Sequence, residues 1–349
     1  MTANKTDRVI QVRTSPHVHS PRSVDIIMRN VVFALLPIAA YGVWLFGWSA
    51  LALLVTTTGT CILTEHLYCH FRKLETTVND WSATITGLLL GLILPPGLPL
   101  WMGVVGSLIA VLPGKMIFGG IGHNVFNPAL VGRVVLQAAF PVAISTYYPA
   151  LISHRFSELA SSTLAVPLMK AAPDALSGAT PLAQAKFDHV IADLWTMFRG
   201  ERAGSIGETC IPLIFLCGLY LILRKFMDWR IPAAMLLGAV GVGEIFHLVD
   251  PKQYPGPLFV LFAGGLMLGA MFMATDPVAS PVTPRGMWIY GVLMGALTVL
   301  IRFKGGLAEG VMYAILLGNA VSPLIDSLTQ PRTYGERKKS LIAAKGAAA

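Results

Sequence analysis

Residues 209–227 read TCIPLIFLCGLYLILRKFM, and runs of this kind decide the class of fold. Residues 210–223 carry no charge, and Arg224 and Lys225 follow them directly. An α-helix needs about 20 apolar residues to cross a hydrocarbon core roughly 30 Å thick. The stretch therefore predicts a membrane-spanning helix with a basic end.

The composition of the whole chain agrees with this prediction. The 349 residues are 54% hydrophobic and 13% charged, and the mean hydropathy is +0.66. A soluble protein would carry roughly 25% charged residues. Most of the surface is therefore expected to face lipid, which makes membrane lipid a partner of the chain.

The basic excess and the cysteines exclude other classes. The net charge of +8 comes from Lys and Arg that cluster at the ends of the apolar runs, so it predicts an orientation in the membrane and no nucleic-acid partner. The chain has four cysteines and no CxxC motif. Neither a disulfide framework nor a zinc or iron–sulfur site is expected.

The apolar runs predict an all-α integral membrane bundle of about ten transmembrane helices. These spans are predicted at residues 26–46, 48–69, 82–96, 99–118, 127–148, 209–227, 230–249, 257–275, 286–303 and 307–326. Most connections are short, but about 60 residues at 149–208 are polar and must lie in water. The predicted organisation is a tail at 1–25, five helices at 26–148, a loop at 149–208, five helices at 209–326 and a tail at 327–349.

The two groups of five spans resemble each other. Residues 124–128, NVFNP, match residues 319–323, NAVSP, and Pro-rich breaks stand at 95–99 and 277–284. Because each group has an odd number of spans, the groups must enter the membrane from opposite sides, which predicts two inverted five-helix repeats. The alternative is a weak similarity that polytopic chains share through composition alone.

Lys and Arg are unevenly divided between the two sides of the predicted bundle. One side collects both tails and most of the basic loops, whereas the short loops of the other side offer only Lys252, Arg302 and Lys304. Because basic residues mark the cytoplasmic side, both termini are predicted to be cytoplasmic. Five crossings then place the long loop outside.

The long loop carries the motif Asp174-Ala-Leu-Ser177-Gly178-Ala179-Thr180. Gly178 and Ala179 have little side-chain bulk, so a modifying enzyme can approach the backbone closely. A threonine hydroxyl is a poor nucleophile and needs activation by a base or a metal, which such an enzyme would supply. The alternative is an ordinary turn, because Asp, Ser and Gly dominate turns.

The motif resembles the pattern Asp-x-x-Ser/Thr-Gly-Ala-Thr/Ser of covalent flavin attachment sites. The resemblance extends to residues 118–130 and 273–280 and to the order of five spans, flavin loop, five spans. Over about residues 20–330 the chain is similar to the RnfD family, the D-type membrane subunits of the Rnf complex, which is the ion-translocating ferredoxin:NAD⁺ oxidoreductase. That family is related to NqrB of the sodium-translocating NADH:quinone reductase.

The resemblance implies an FMN joined through its phosphate to the Thr180 hydroxyl by a flavin transferase, with Asp174, Ser177, Gly178 and Ala179 as motif residues. It also implies a non-covalent riboflavin, to which no residues are assigned. Other membrane and peripheral subunits of an Rnf-type complex are the implied partners, and the implied location is a bacterial inner membrane with the Thr180 loop in the periplasm.

The implied function is that of a flavin-carrying subunit in a complex that couples electron transfer between ferredoxin and NAD to the translocation of Na⁺ or H⁺. The oxidoreductase activity belongs to the complex, because no complete active site is expected in this chain alone. Inverted repeats with broken helices also serve solute channels and transporters, which are the alternative function. A structural scaffold without a flavin is a third.

Further polar residues in or near the apolar runs are candidates for an ion site or a second flavin site. They are Asn124, Asn127, Asp276, Asn319, Glu244 and His247. Glu244 and His247 share a helix face and lie either on an ion path or at the headgroup boundary. The asparagines and Asp276 either bind a ligand or cap helices.

Overall fold

The computed structural model describes residues 23–157, 159–167, 178–251 and 253–331. Asp174 and Ser177 of the loop motif lie outside these residues, as do most of the two predicted tails. Within the described residues the regular elements are helices, and an isolated β-bridge joins Tyr147 to Gly178. The predicted all-α class is confirmed.

The helices are numbered in chain order. They are α1 Val24–Phe46, α2 Trp48–Arg72, α3 Ser82–Ile93, α4 Leu100–Val111, α5 Pro128–Ala139, α6 Pro141–Ser145, α7 Pro181–Ala183, α8 Leu194–Arg199, α9 Ile211–Leu223, α10 Arg230–Val249, α11 Pro257–Phe262, α12 Leu266–Leu268, α13 Pro284–Lys304 and α14 Val311–Thr329. Helix α4 continues into a π-helical turn at Leu112–Met116, α7 into one at Gln184–Asp188 and α12 into one at Gly269–Met273.

Five of these helices are long and apolar enough to cross a membrane, namely α1, α2, α10, α13 and α14. The shortest of them, α14, has 19 residues, which at 1.5 Å per residue gives about 28 Å. Several further apolar helices are shorter. Together they make the chain a multi-pass membrane protein.

The other five predicted spans are shorter or broken helices, so ten full-length helices are not what the structure contains. The opening stretch forms only α9, which has 13 residues, or about 20 Å. Helix α3 ends before Pro95, and the span predicted at 257–275 breaks at Gly264, whose φ of +61° a helix cannot continue. Proline and glycine divide these spans, as the Pro-rich segment at 95–99 indicated.

Small residues let the helices of the bundle approach closely. A Cβ added to Gly238 of α10 would lie 2.6 Å from the Val292 carbonyl oxygen of α13. A Cβ added to Gly87 of α3 would lie 2.5 Å from the Thr58 Cα of α2. Because glycine has no side chain, backbone packs directly on backbone at these positions. Such close packing occurs both in the helices that precede the long loop in the sequence and in those that follow it.

The long loop closes one end of the bundle and completes its broken helices. The amides of Ile206 and Gly207 donate to the carbonyls of Leu94 and Leu92, at 3.2 and 2.6 Å, where α3 ends. Those carbonyls have no partner within a helix that stops there. The loop is therefore hydrogen-bonded into the helical core near its C-terminal end.

Candidate functional site

Thr180 lies at the start of α7 and is buried, with 7% of its surface exposed. Its Oγ1 accepts a hydrogen bond from the Ala183 amide at 3.2 Å, and Pro181 follows it at the first helical position. A threonine before a proline is a favoured start for a helix. The local sequence therefore fixes where the Thr180 hydroxyl is held.

Two anchors hold the segment around Thr180 in place. The Gly178 amide donates to the Tyr147 carbonyl at 2.9 Å, and a Cβ at Gly178 would come within 3.1 Å of the Ala203 Cβ. On the other side, the Lys186 ammonium donates to the carbonyls of Arg302 and Leu307, both at 2.8 Å. The loop segment is thus attached to the helices as well as to itself.

Thr180 opens onto a cavity of about 360 Å³. The loop contributes Gly178, Ala179, Thr180 and Phe187 to its lining. Arg133 of α5 and Tyr147, which follows α6, line a second side. Glu309, in the turn before α14, and Met312, at the start of α14, line a third. A volume of this size falls within the roughly 300–1,000 Å³ of small-molecule sites. The cavity brings three separate parts of the chain to the Thr180 hydroxyl.

A buried ion pair forms one wall of this cavity. The Arg133 guanidinium of α5 donates to the Glu309 carboxylate at 2.7 Å. Among the described residues that line the cavity, Arg133 is the only cation and Glu309 the only anion. Tyr147 is hydrogen-bonded to the same guanidinium. The pair gives an otherwise weakly polar cavity one strongly charged wall.

Behind this wall the charged cluster continues into the protein. The Glu208 carboxyl accepts a hydrogen bond from the Ser205 hydroxyl at 2.7 Å and is hydrogen-bonded to the carboxyl of Glu309. Arg302 of α13 donates to the carbonyls of Val260 and Ala263, both at 2.9 Å, where α11 ends. Arg302 thereby satisfies the free carbonyls of a broken helix.

The two glutamates of the cluster have pKa values that are pushed apart. Burial raises the pKa of Glu208 well above its usual range, and the neighbouring Glu309 raises it further. Burial also raises the pKa of Glu309, but Arg133, the hydrogen bond with Glu208 and Arg302 outweigh it and lower this pKa to about 2. The surroundings of the two glutamates therefore differ: Arg133 and Arg302 favour the ionised form of Glu309, whereas burial and Glu309 favour the neutral form of Glu208.

Three of the other predicted residues meet at a second, smaller cavity. Asn124, Asn127 and Asp276 line a space of about 110 Å³ together with Lys115. Asn127 caps α5 by accepting from the Ala129 amide at 3.1 Å. Asp276 accepts from the Val278 amide at 3.0 Å and is hydrogen-bonded to Asn124. The structure thus brings these three together, and Asn127 serves as a helix cap.

Asn319 lies beside this group. With its amide oriented to suit its neighbours, its oxygen accepts from the Asn127 amide at 3.1 Å and its nitrogen donates to the Tyr290 hydroxyl at 2.6 Å. The two matching segments at 124–128 and 319–323 therefore touch through one asparagine from each.

Glu244 and His247 lie on α10, apart from the other predicted residues. The His247 Nδ1 is 2.8 Å from the Tyr254 carbonyl oxygen, and the Tyr254 hydroxyl accepts from Lys304 at 2.9 Å. Tyr254 also lines a small cavity with Lys186 of the long loop. The structure therefore places His247 on the side of the bundle that the loop covers.

A second buried ion pair joins Lys115 to Glu65 at 2.7 Å. The Lys115 ammonium also donates to the Ser82 hydroxyl, and the Thr77 hydroxyl donates to the other oxygen of Glu65. Glu65 follows Trp48 by 17 residues along α2, which is about 25 Å. Because Trp48 donates to Arg155 of the long loop, this pair lies far from the loop end.

The sequence interpretation missed Arg133, Glu208, Arg302 and Glu309. A signal was present for three of them, since Arg133, Arg302 and Glu309 fall inside the predicted spans 127–148, 286–303 and 307–326. A charge within an apolar span is a candidate functional residue by default. The sequence analysis assigned Arg302 to a short loop, and it was therefore not considered as a charge within a span.

Comparison with known proteins agrees with the helical membrane architecture. The model of the NQR2, RnfD, RnfE family matches residues 11–335. The chain is 42% identical to the D-type subunit of the proton-translocating ferredoxin:NAD(+) oxidoreductase complex of Clostridium ljungdahlii, over 95% of this chain and 97% of that one. It is 41% identical to the D-type subunit of the ion-translocating oxidoreductase complex of Stutzerimonas stutzeri, over 93% and 96% of the two chains. The protein of that name from Yersinia enterocolitica is 38% identical, over 94% and 99%.

Proposed function

Because the chain belongs to the NQR2, RnfD, RnfE family, we propose that it carries electrons on an FMN joined to Thr180. It is a membrane subunit of an ion-translocating oxidoreductase complex, and other subunits of that complex are its partners. The complex transfers electrons between ferredoxin and NAD, as the name of the Clostridium relative states for that protein. The flavin and its place on Thr180 are the new elements of the proposal.

The single observation that carries the proposal is the cavity of about 360 Å³ beside a buried threonine hydroxyl. Gly178 and Ala179 leave the approach to that hydroxyl free of large side chains. Arg133 offers a guanidinium that matches a phosphate in charge and geometry. An ordinary turn on a protein surface would need neither the cavity nor the buried cation.

FMN bound there supplies an isoalloxazine ring that accepts and donates electrons. The residues of this chain bind and orient it. Arg133 would attract the negatively charged phosphate, and Phe187 and Met312 would give the ring apolar wall. Hydrogen bonds from Lys186 connect the segment that contains Thr180 to the end of α13 and the turn before α14. The position of Thr180 is therefore coupled to the position of these helices.

The proposed architecture is two inverted five-helix repeats, with both termini in the cytoplasm and the Thr180 loop in the periplasm of a bacterial inner membrane. The hydrogen bond between Asn127 and Asn319 supports the repeats, because it joins corresponding segments of the two halves. The distribution of Lys and Arg supports the orientation. A flavin transferase acting on an exported loop is consistent with both.

The cavity lined by Asn124, Asn127 and Asp276 is the proposed place for a second ligand, either a non-covalent riboflavin or an ion. Its volume of about 110 Å³ is small for a flavin. Its amide and carboxyl oxygens are groups that bind a sodium ion. Sodium-dependent quenching of Trp fluorescence and release of free riboflavin on denaturation distinguish the two.

The test of the proposal is the covalent bond. The full chain is expressed together with a flavin transferase, separated on a denaturing gel and examined under ultraviolet light. We expect a fluorescent band for the unaltered chain and for Thr180→Ser, and none for Thr180→Val, which keeps the shape and lacks the hydroxyl. Thr196→Val, in the same loop, is the matched control and should fluoresce.

A non-fluorescent unaltered chain that transports a solute into liposomes would establish the alternative function of a channel or transporter. A non-fluorescent chain without solute flux, found in an active complex, would make it a structural scaffold. Either outcome rejects the electron-carrying role.

A further inference from the structure

The cluster behind the Thr180 cavity holds more positive than negative charge. Arg133, Arg202 and Arg302 are all buried. Against these three cations stand two carboxyl groups, those of Glu309 and Glu208, which are hydrogen-bonded to each other. Even with both carboxyls ionised, three cations against two anions leave an excess of positive charge beside the cavity.

The guanidinium groups are also incompletely paired. Among the described residues, the Nε atoms of Arg133, Arg202 and Arg302 and the Nη1 atom of Arg202 are buried without a hydrogen-bond partner. A buried guanidinium with free N–H groups is costly unless an anion lies close by. The charge and the free donors both indicate that an anion completes this part of the protein.

Arg133 is the residue through which the cluster reaches the cavity. Glu309 and Tyr147 engage its guanidinium, and a guanidinium has five N–H donors. Donors therefore remain for a ligand in the cavity. Arg202 and Arg302 interact electrostatically with Glu309 from the protein side.

We propose that Arg133 is the anion-binding residue of the Thr180 cavity and that the arginines around it raise the reduction potential of a flavin held there. The inference rests on the proposed function. A positive charge near the ring favours the reduced flavin, because reduction adds negative charge. The electron comes from one partner protein of the complex and passes to another. The cluster transfers neither an electron nor a proton and supplies only fixed charge.

Two substitutions that remove charges of opposite sign test the sign of this effect. Arg133→Gln removes a positive charge and should lower the reduction potential. Glu309→Gln removes a negative charge and should raise it. A residue that only supports the fold would not produce this order of signs.

The measurement is a spectroelectrochemical titration of the full flavin-carrying chain, purified after expression with a flavin transferase. We expect Arg133→Gln and Glu309→Gln each to change the one-electron equilibrium about tenfold, which is 59 mV, in opposite directions. Arg133→Lys keeps the charge and should remain close to the unaltered chain. Arg230→Gln, which breaks the half-exposed pair with Asp228, is the control and should have no effect.

The outcomes separate this inference from the proposed function. An unaltered chain without fluorescence on a denaturing gel removes the flavin, and the inference fails with it. A fluorescent chain whose potential does not change in Glu309→Gln overturns the inference and leaves the proposed function intact. Should Arg133→Gln fail to fold, the raised potential in Glu309→Gln and the retained potential in the control Arg230→Gln still decide the matter.

Discussion

The two buried ion pairs of this protein have the same length and different surroundings. Lys115–Glu65 and Arg133–Glu309 are both 2.7 Å long. Around Glu65, each carboxylate oxygen has a partner, and the neighbouring Asp80 accepts from Ser82. This region carries no excess of positive charge, and the ion pair is completed by its own neighbours.

The Arg133 region has the opposite character. It combines free guanidinium nitrogens, an excess of positive charge and a cavity of about 360 Å³ with a threonine hydroxyl on its wall. The comparison teaches that burial of an ion pair does not by itself mark a site. The distinguishing features are the unpaired guanidinium nitrogens and the larger cavity beside the Arg133 pair, about 360 Å³ against the roughly 110 Å³ of the cavity that Lys115 lines.

The largest expected effect is a loss of stability when the Lys115–Glu65 pair is broken. Glu65→Leu leaves the Lys115 ammonium buried without its counter-ion and should cost roughly 3–5 kcal/mol. The double variant Glu65→Leu/Lys115→Met removes both charges and should recover most of that loss. Thermal unfolding in detergent, followed by Trp fluorescence, measures both. A double variant as unstable as the single one would contradict a purely structural role for the pair.

A smaller difference is expected between two glycines with left-handed backbone. Gly264 has a φ of +61°, and a Cβ there would lie 2.6 Å from Leu182 and 3.1 Å from the Glu309 carboxylate. Gly120 has a φ of +91°, and nothing lies within 4 Å of its Cβ position. Both Ala variants introduce backbone strain of about 1–2 kcal/mol, and only Gly264→Ala adds overpacking of about 1–3 kcal/mol.

The same unfolding measurement ranks the two glycine variants. Gly264→Ala should also reduce the amount of fluorescent flavin on Thr180, because its new methyl group displaces Leu182 next to the flavin segment. Gly120→Ala should leave flavin attachment unchanged. Equal stability of the two variants would show that the contacts around Gly264 are not tight.

The smallest effect is the pH dependence contributed by Glu208. Burial and Glu309 raise its pKa in the folded protein above the ordinary 4.5. Its contribution to stability is therefore complete below pH 4.5 and is lost as the pH rises through the higher folded pKa. Compared with Glu208→Gln, the unaltered protein should lose on the order of 1 kcal/mol as the pH rises through that folded pKa.

The measurement is the unfolding temperature as a function of pH for the two proteins. Glu201→Gln, an exposed glutamate of the same loop, is the control and should follow the unaltered chain. A difference between the unaltered chain and Glu208→Gln that grows as the pH falls would have the wrong sign and would reject the raised pKa of Glu208.

The sequence predicted the long helices well, because a long apolar run bounded by charges has few other structures available. Helix α1, predicted at 26–46, spans Val24–Phe46, and α10, predicted at 230–249, spans Arg230–Val249. For the broken helices, the sequence predicted where the breaks lie, at the Pro-rich segments, but not how short the helices are. These lengths depend on hydrogen-bond partners such as Gly207, which is far along the chain from α3, and an apolar run does not indicate such distant partners.

The site was predicted in part for the same reason. Thr180 could be proposed because its motif is local, with all fixed positions within seven residues, and its role in flavin attachment stays a prediction. Glu309 is 176 residues from its partner Arg133, and no local pattern links two positions so far apart. Asp174 and Ser177 lie outside the described residues, and their role as motif residues stays a prediction.

The hydrogen bonds from Ile206 and Gly207 to the end of α3 have a consequence for how the protein is made. The carbonyls of Leu92 and Leu94 leave the ribosome more than a hundred residues before the amides that satisfy them. Until those amides arrive, the insertion machinery must keep a frayed end of α3 hydrated or otherwise protected. The first half of the bundle therefore cannot reach its final form during its own synthesis, and assembly waits until translation has passed Gly207.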